Sequence, residues 1–474
     1  MKSIYSLLLL ILISTNIQAQ KSKDKILNQL DNKTSFYGDI AQTIWGYAEM
    51  GYKEVKSSAL LQKTLKDEGF KITTGVAGMP TAFIAEFGNE GPVIAILGEY
   101  DALPGLSQQA VAEKKSADAA AGHACGHHLF GTGAAAAAIS IKEWLTKTKT
   151  KGRIRFYGCP AEEGGSGKVY MTREGLFDDV DVALHWHPSS VNASNPGAAL
   201  ANKSAKFRFH GVSAHAAGTP ERGRSSLDAV ESMNYMVNMM REHILQEARI
   251  HYVITDGGKA PNVVPDYAEV YYYARHNNRN VVIDIFDRIV NAAKGAALGT
   301  DTTMEFEMIG GTHELLPNYV LQEVMYKNLV AIGGFTFDEK ELQFANEITK
   351  TLGLEKLNTS FSEGVVPYTE KAKAYGSTDV GDVSFAVPTV GMSAATWVPG
   401  TPAHSWQAVA AGGTSIGTKG MMIAAKTLSA TAIELFSNTD LITKAKAEFE
   451  SSRGTDFKYI PLLGNRKPAL KYRD

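Results

Sequence analysis

Cysteine is scarce in this chain: 474 residues carry two, Cys125 and Cys159. So few thiols exclude a scaffold built on disulfides, and a single bridge would add little to a chain of this length. Whether the two could pair stays open at this level. An excess of one charge is also missing. The 48 basic and 50 acidic residues leave a formal charge of -2, so there is no electrostatic reason to expect nucleic acid or an anionic membrane as partner. After the N-terminus no apolar run reaches transmembrane length, and no internal repeat or low-complexity segment stands out. A small-molecule or peptide substrate is the default that survives these exclusions.

The N-terminus reads as an export signal. Lys2 supplies a positive start, Tyr5 to Ile13 is apolar but too short to span a bilayer, and Ile-Gln-Ala at 17–19 ends on a small residue. This pattern predicts a signal peptide over 1–19 and a periplasmic or secreted protein. The mature chain is too long for one ordinary domain. Helical spacing runs from Ser35 to Phe70 and again through the Ala-rich stretch Gly131 to Leu145. Short apolar runs at 93–97, 154–157 and 180–184 read as buried strands. Strands alternating with helices predict an α/β fold with a mostly parallel sheet.

The middle of the chain has a different pattern. A strand at 206–211 precedes a helix opened by Ser225-x-x-Asp228, then strands at 250–255 and 267–275, a helix at 281–298, and a strand at 303–309. That order, βαββαβ, is ferredoxin-like. It predicts an inserted lid domain over 205–311, with the catalytic domain formed by 20–204 and 312–474. The long helix at 415–436 should pack on the main sheet.

Chemistry-bearing residues follow the strand candidates. The run at 93–97 leads to Glu99 and Asp101, 154–157 to Glu162 and Glu163, 180–184 to His185 and His187, and 387–392 precedes His404. In open α/β sheets sites form beyond the carboxyl ends of strands, so these distant groups should converge on one rim. In Gly122-His-Ala-Cys-Gly-His-His128 the spacing of Cys125 and His127 suits one side of an extended segment. A thiolate beside an imidazole favours zinc or a similar metal. The adjacent Glu162 and Glu163 would face opposite ways in extended chain, leaving one carboxylate for metal and one for the attacking water. Gly-Gly-Ser-Gly-Lys168 is no phosphate-binding loop, because it lacks the required Gly at 162 and the Ser or Thr at 169.

These segments carry a family resemblance. GEYDALP at 98–104, GHACGHHLFGTG at 122–133, FYGCPAEEGGSGK at 156–168, REGLFDDVDVALHWHP at 173–188, STDVGDVS at 377–384 and GTPAHSWQ at 400–407 span nearly the whole mature chain. The chain resembles the amidohydrolase branch of the zinc aminoacylase and carboxypeptidase superfamily, peptidase family M20. The resemblance implies a catalytic domain interrupted by a dimerising lid. It also implies two divalent cations, zinc or manganese, held by Cys125, His127, Glu163, His404 and either His187 or His185; the Trp-His-Pro triplet favours His187. Glu162 matches the general base, and His215 a lid histidine that reaches a neighbouring subunit's site. Asn262 and Arg275 match positions near the substrate carboxylate. His128 departs from the resemblance, standing where relatives usually have Asp or Asn.

The implied reaction is cleavage of the amide bond of N-acyl or aroyl amino acids, p-aminobenzoyl-glutamate-like, by a homodimer; a second hydrolase subunit is a further candidate partner. Two other readings compete: a metal-binding partner subunit with little activity alone, and a cysteine hydrolase using Cys125 with His127. Chelation separates the last from the rest. A metal hydrolase should lose turnover of N-acyl amino acids on prolonged chelation and regain it with zinc or manganese, whereas a cysteine hydrolase would work through the treatment.

Overall fold

The computed structural model describes residues 22–194, 199–370 and 376–473; the expected signal peptide lies outside them. The described strands are β1 (Lys71–Thr74), β2 (Phe83–Phe87), β3 (Val93–Glu99), β4 (Leu103–Pro104), β5 (Ala121–Gly122), β6 (Arg153–Cys159), β7 (Val182–Ser189), β8 (Ala201–His210), β9 (Arg249–Asp256), β10 (Tyr267–His276), β11 (Thr303–Thr312) and β12 (Thr389–Ala395). Six of them form the main sheet, in the order β1-β2-β6-β3-β7-β12. Neighbours from β6 to β12 pair in parallel, while β1 and β2 are an antiparallel edge. The fold is therefore α/β with a mostly parallel sheet, and the carboxyl tips of β3, β6, β7 and β12 lie on one rim.

Alternation along β3 sets the two cores. Ile94 and Ile96 join one apolar cluster with the helices His127–Thr148 and Ser415–Ser437. Val93, Ala95 and Leu97 join another with Tyr170, Met171 and Val383. A strand covered on both faces has no polar side, which explains its unbroken apolar run. The Ala-rich helix needs small side chains because its neighbours come close. A Cβ added at Gly133 would sit 3.0 Å from Met421 Cγ and 3.1 Å from Trp186 Cζ2.

The second sheet is antiparallel, in the order β11-β8-β10-β9. Its helices Ser226–Met240 and Arg279–Gly299 complete the βαββαβ order and share its core. Its first strand starts at Ala201, earlier than the apolar pattern indicates, since Asn202 and Ser204 are polar yet buried.

Several local expectations change. The stretch from Ser35 to Phe70 holds two helices, Thr34–Tyr47 and Val55–Asp67, separated where Ala48 turns left-handed with φ 44°. A further helix, Thr439–Arg453, follows the one at Ser415–Ser437. Strand β7 runs through His185 and His187 instead of ending before them. No described helix is long and apolar enough to cross a membrane.

Phe156 tests this core. It is fully buried on β6 and stacks on Phe83 with ring centroids 5.5 Å apart. Phe156→Ala should cost about 3–5 kcal/mol, measured as a lower unfolding midpoint of the metal-free protein.

Candidate metal centre

Each side chain at the rim is placed by a local break in regular structure. Cys125 sits in a turn, and His127 is the first residue of the helix His127–Thr148. The two are therefore not on an extended segment. Gly126, with φ 76°, reverses the chain between them, and a Cβ there would lie 2.6 Å from Pro188 Cβ. Glu162 and Glu163 occupy a kinked turn opened by Ala161 at φ 55°, with Glu163 at φ -71°, ψ 70°. That kink, and not an extended strand, sends the two carboxylates apart. His404 stands in a loop at φ 59°, its backbone N–H donating to Ala124 O at 3.0 Å. The loop is thereby pinned beside the Cys125 turn.

The donor atoms converge. Cys125, His127 and His187 form one group of ligand atoms within 4.8 Å of one another, and Cys125, Glu163 and His404 form a second. Cys125 is common to both, with its Sγ 3.4 Å from His187 Nε2. A third group joins Glu99, His127 and Glu162. His404 Nε2 lies 3.1 Å from Glu163 Oε1. The set of one sulfur, three imidazoles and one carboxylate suits borderline-soft divalent metals. His127 Nε2 and Glu99 Oε2 are 3.1 Å apart and buried, yet neither has an aligned hydrogen bond. Burial opposes charge on His127, but Cys125, Glu99 and Asp101 together hold its pKa well above the ordinary value. Such concentrated negative charge is what a divalent cation neutralises. The residues fit a metal centre.

The two histidines of β7 stand in different surroundings. His187 belongs to the first donor group; its Nδ1 donates to Pro188 O at 2.7 Å. His185, two residues farther from the tip, lies so close to Gly391 that a Cβ there would collide with its ring. Among the described residues it falls in no donor group. Burial lowers its pKa to about 3, which keeps it neutral. His128 also turns away, its Nε2 donating to Gly412 O at 3.0 Å.

Residues outside the donor set hold it in place. Asp101 Oδ1 accepts from His127 Nδ1 at 2.8 Å, and its Oδ2 accepts from the Glu163 backbone N–H at 2.9 Å. Lys168, fully buried, reaches Glu99 Oε1 at 2.5 Å and Asp379 Oδ1 at 2.6 Å. Sequence reading missed Lys168 and Asp379. The Gly-rich run before Lys168 stands out only as a failed phosphate loop, and no spacing links it to residue 379.

The two glutamates are driven apart electrically. Burial, with Glu99, Glu163 and Asp379 nearby, pushes the Glu162 carboxyl well up. Burial also works against ionised Glu163, but His404 and His127 hold its pKa below the usual value. Two neighbouring carboxyls separated in this way can take different parts in acid–base chemistry. Burial pushes the Cys125 thiol far up, the reverse of what a nucleophilic cysteine needs. Cys159 is a separate free thiol, its Sγ 3.3 Å from Tyr157 O.

A cavity of about 530 Å³ opens over the centre. Cys125, Glu162, Glu163, His187 and His404 line one side, and Asn202, Tyr273 and Arg275 of the second sheet face them. His215 and Asn262 do not line it. Both are exposed on adjoining lid loops, where His215 bridges Val263 and the Ala216 N–H donates to Asn262 O at 3.0 Å.

Lys168 gives a stability test. Lys168→Met leaves two buried carboxylates facing each other, and removing one partner of a buried ion pair costs about 3–5 kcal/mol. Metal-free Lys168→Met should unfold at a clearly lower denaturant midpoint than wild type.

Residues 95–460 match peptidase family M20/M25/M40. The chain is 42% identical to one of the subunits of p-aminobenzoyl-glutamate hydrolase of Escherichia coli, over 91% of this chain and 96% of that protein. It is 28% identical to a mouse Xaa-Arg dipeptidase over 92% and 94% of the two chains. Among solved structures, an aminobenzoyl-glutamate utilization protein from Klebsiella pneumoniae superimposes with a TM-score of 0.60 at 17% identity, covering 87% of this chain and 98% of that one. A Bacillus subtilis protein described as a dinuclear metal binding peptidase gives 0.54 at 18% identity, covering 87% and 99%. With the donor groups at the sheet's rim, these matches show that the chain belongs to peptidase family M20/M25/M40 and is a metal-dependent hydrolase of amide bonds.

Proposed function

We propose that the chain hydrolyses N-acyl or aroyl amino acids of the p-aminobenzoyl-glutamate kind, holding two divalent cations, zinc or manganese. The observation that carries this reading is the pair of donor groups sharing Cys125, with Glu162 beside them on the cavity wall. Cys125, His127 and His187 would hold one cation, and Cys125, Glu163 and His404 the other. When bound, the cations supply Lewis acidity for the scissile carbonyl and lower the pKa of water.

The remaining work falls to the chain's own residues. Glu162 takes the proton of the attacking water on its carboxylate and passes it to the leaving amine nitrogen. Asp101 fixes the His127 tautomer by accepting from Nδ1. Arg275, in the cavity wall with its Nε unpaired, is suited to a substrate carboxylate. His215 and Asn262 are exposed on the lid and away from their own chain's cavity. Their role at the site is therefore assigned across a homodimer, with His215 steadying the oxyanion in the neighbouring protomer.

The 42% identity to one subunit of the Escherichia coli hydrolase, and the weaker 24% identity to its other subunit, support a heteromeric partner of the same family besides the homodimer. The N-terminal residues support export.

Glu162→Gln separates binding from catalysis. The variant should take up metal as wild type does and lose about 10²–10⁴-fold in turnover, the usual contribution of a positioned general base. Metal content by atomic spectroscopy and assays on a panel of N-acyl and aroyl amino acids read both quantities. Full turnover in the glutamine variant would remove Glu162 from the role. Assaying purified wild type alone tests the reading in which the chain has little activity without a partner.

A further inference from the structure

The last described residues form no helix or strand after Thr439–Arg453, yet they are tied at both ends to the working parts of the molecule. Leu462 is buried in the core of the second sheet, and its neighbour Leu463 in the core of the main sheet. Arg466 donates to the carbonyls of Met308 and Ile309, where β11 shifts register. Farther on, the Tyr472 hydroxyl and the Arg473 Nη2 both donate to Glu163 O, at 2.9 and 2.8 Å. The Tyr472 ring meets Tyr52 edge-on at 5.6 Å. Gly51 lies so near the Tyr472 hydroxyl that a Cβ could not fit. The match to the family stops at residue 460, so this strap lies beyond it.

The turn that the strap touches is closed by one backbone bond of its own, from the Gly165 N–H to Ala161 O at 3.0 Å. Ala161 and Ser166 are left-handed at its two ends, and ψ 70° at Glu163 breaks the helical pattern inside. Further bonds hold it from outside. Glu54 Oε1 accepts from the Ala161 N–H at 2.8 Å, the Tyr52 hydroxyl donates to Gly165 O at 2.7 Å, and Asp101 accepts from the Glu163 N–H. Tyr472 and Arg473 take the remaining side of the Glu163 residue. Water could satisfy that carbonyl but could not fix the plane of the Glu163–Gly164 peptide; this grip on the far side of Glu163, with Asp101 on its N–H, clamps the Glu163 backbone from both sides. Anchorage of a ligand by residues behind it is what usually tunes a metal site.

We propose that Tyr472 and Arg473 are positioning residues: by gripping Glu163 O they hold the Glu163 backbone so that its carboxylate points into the metal centre. Because the same strap is fastened to the lid through Leu462 and Arg466, it ties that aim to the placement of the second sheet. The inference rests on the metal-hydrolase reading above for what Glu163 does.

The test uses the full chain with Tyr472→Phe and Arg473→Met combined, and zinc titrated against a chromophoric chelator. The two donors gone, binding of one zinc equivalent should weaken about 10–100-fold, the usual effect of losing an outer partner of a metal ligand, while the other equivalent is unchanged. kcat should fall with KM nearly constant, and Arg473→Lys should recover much of the loss seen in Arg473→Met. Wild-type zinc affinity and kcat in the double variant would overturn the proposal. So would an equal weakening of both zinc equivalents with a changed KM and no recovery by lysine, which marks a merely structural role. Should the double variant not fold, Arg473→Met and Arg473→Lys compared singly decide the matter: different zinc affinities support the grip, and equal ones overturn it. If wild type binds zinc but cleaves no N-acyl amino acid, the functional reading fails and the zinc titration alone judges the strap.

Discussion

One buried carboxylate, that of Asp101, joins the two halves of the metal centre. Its two oxygens receive the Nδ1 proton of His127 and the backbone proton of Glu163, so segments from β5 onward and from β6 onward share a single anchor at the tip of β3. Burial opposes ionisation of Asp101, but His127 and the Glu163 N–H hold its pKa below the ordinary value. A fully buried charge survives only when its hydrogen bonds are complete. The site therefore depends on both partners being present, which makes the arrangement cooperative instead of a sum of loops.

Around that anchor the charges do not balance. Glu99, Asp101, Glu162, Glu163 and Asp379 cluster at one rim, and the buried Lys168 engages Glu99 and Asp379. The protein thus retains excess negative charge where His127, His187, His404 and Cys125 present their donor atoms. A dipositive ion answers both features at once, by charge and by ligand type. The kinked turn at Glu163 places the Glu162 carboxyl, the base of the proposed function, on the cavity wall beside these donor atoms.

The second sheet completes the cavity without supplying donor atoms. Tyr273 and Arg275 on β10 and Asn202 on β8 look across at the donor groups, so in the proposed function the second sheet faces the substrate and the main sheet carries the chemistry. The shape of the cavity therefore depends on the relative placement of the two sheets. The C-terminal strap, with Leu462 in one core and Leu463 in the other, spans that joint.

Local pattern was enough for the sheet, the βαββαβ order of the second unit, and the residue types of the site. Apolar alternation, strand-tip position and the long motifs at 122–133 and 156–168 are properties of contiguous sequence. The difference between His187 and His185 is not local: both lie on one face of β7, and only the approach of Gly391 on the adjacent strand fills the space around one of them. Lys168 and Asp379, 211 residues apart, likewise meet only in the folded chain. The same holds for Tyr472 and Arg473 on Glu163 O. Sequence determined which groups could do the chemistry; tertiary structure decided which of them meet, because hydrogen bonds and close packing depend on distance in space and not along the chain.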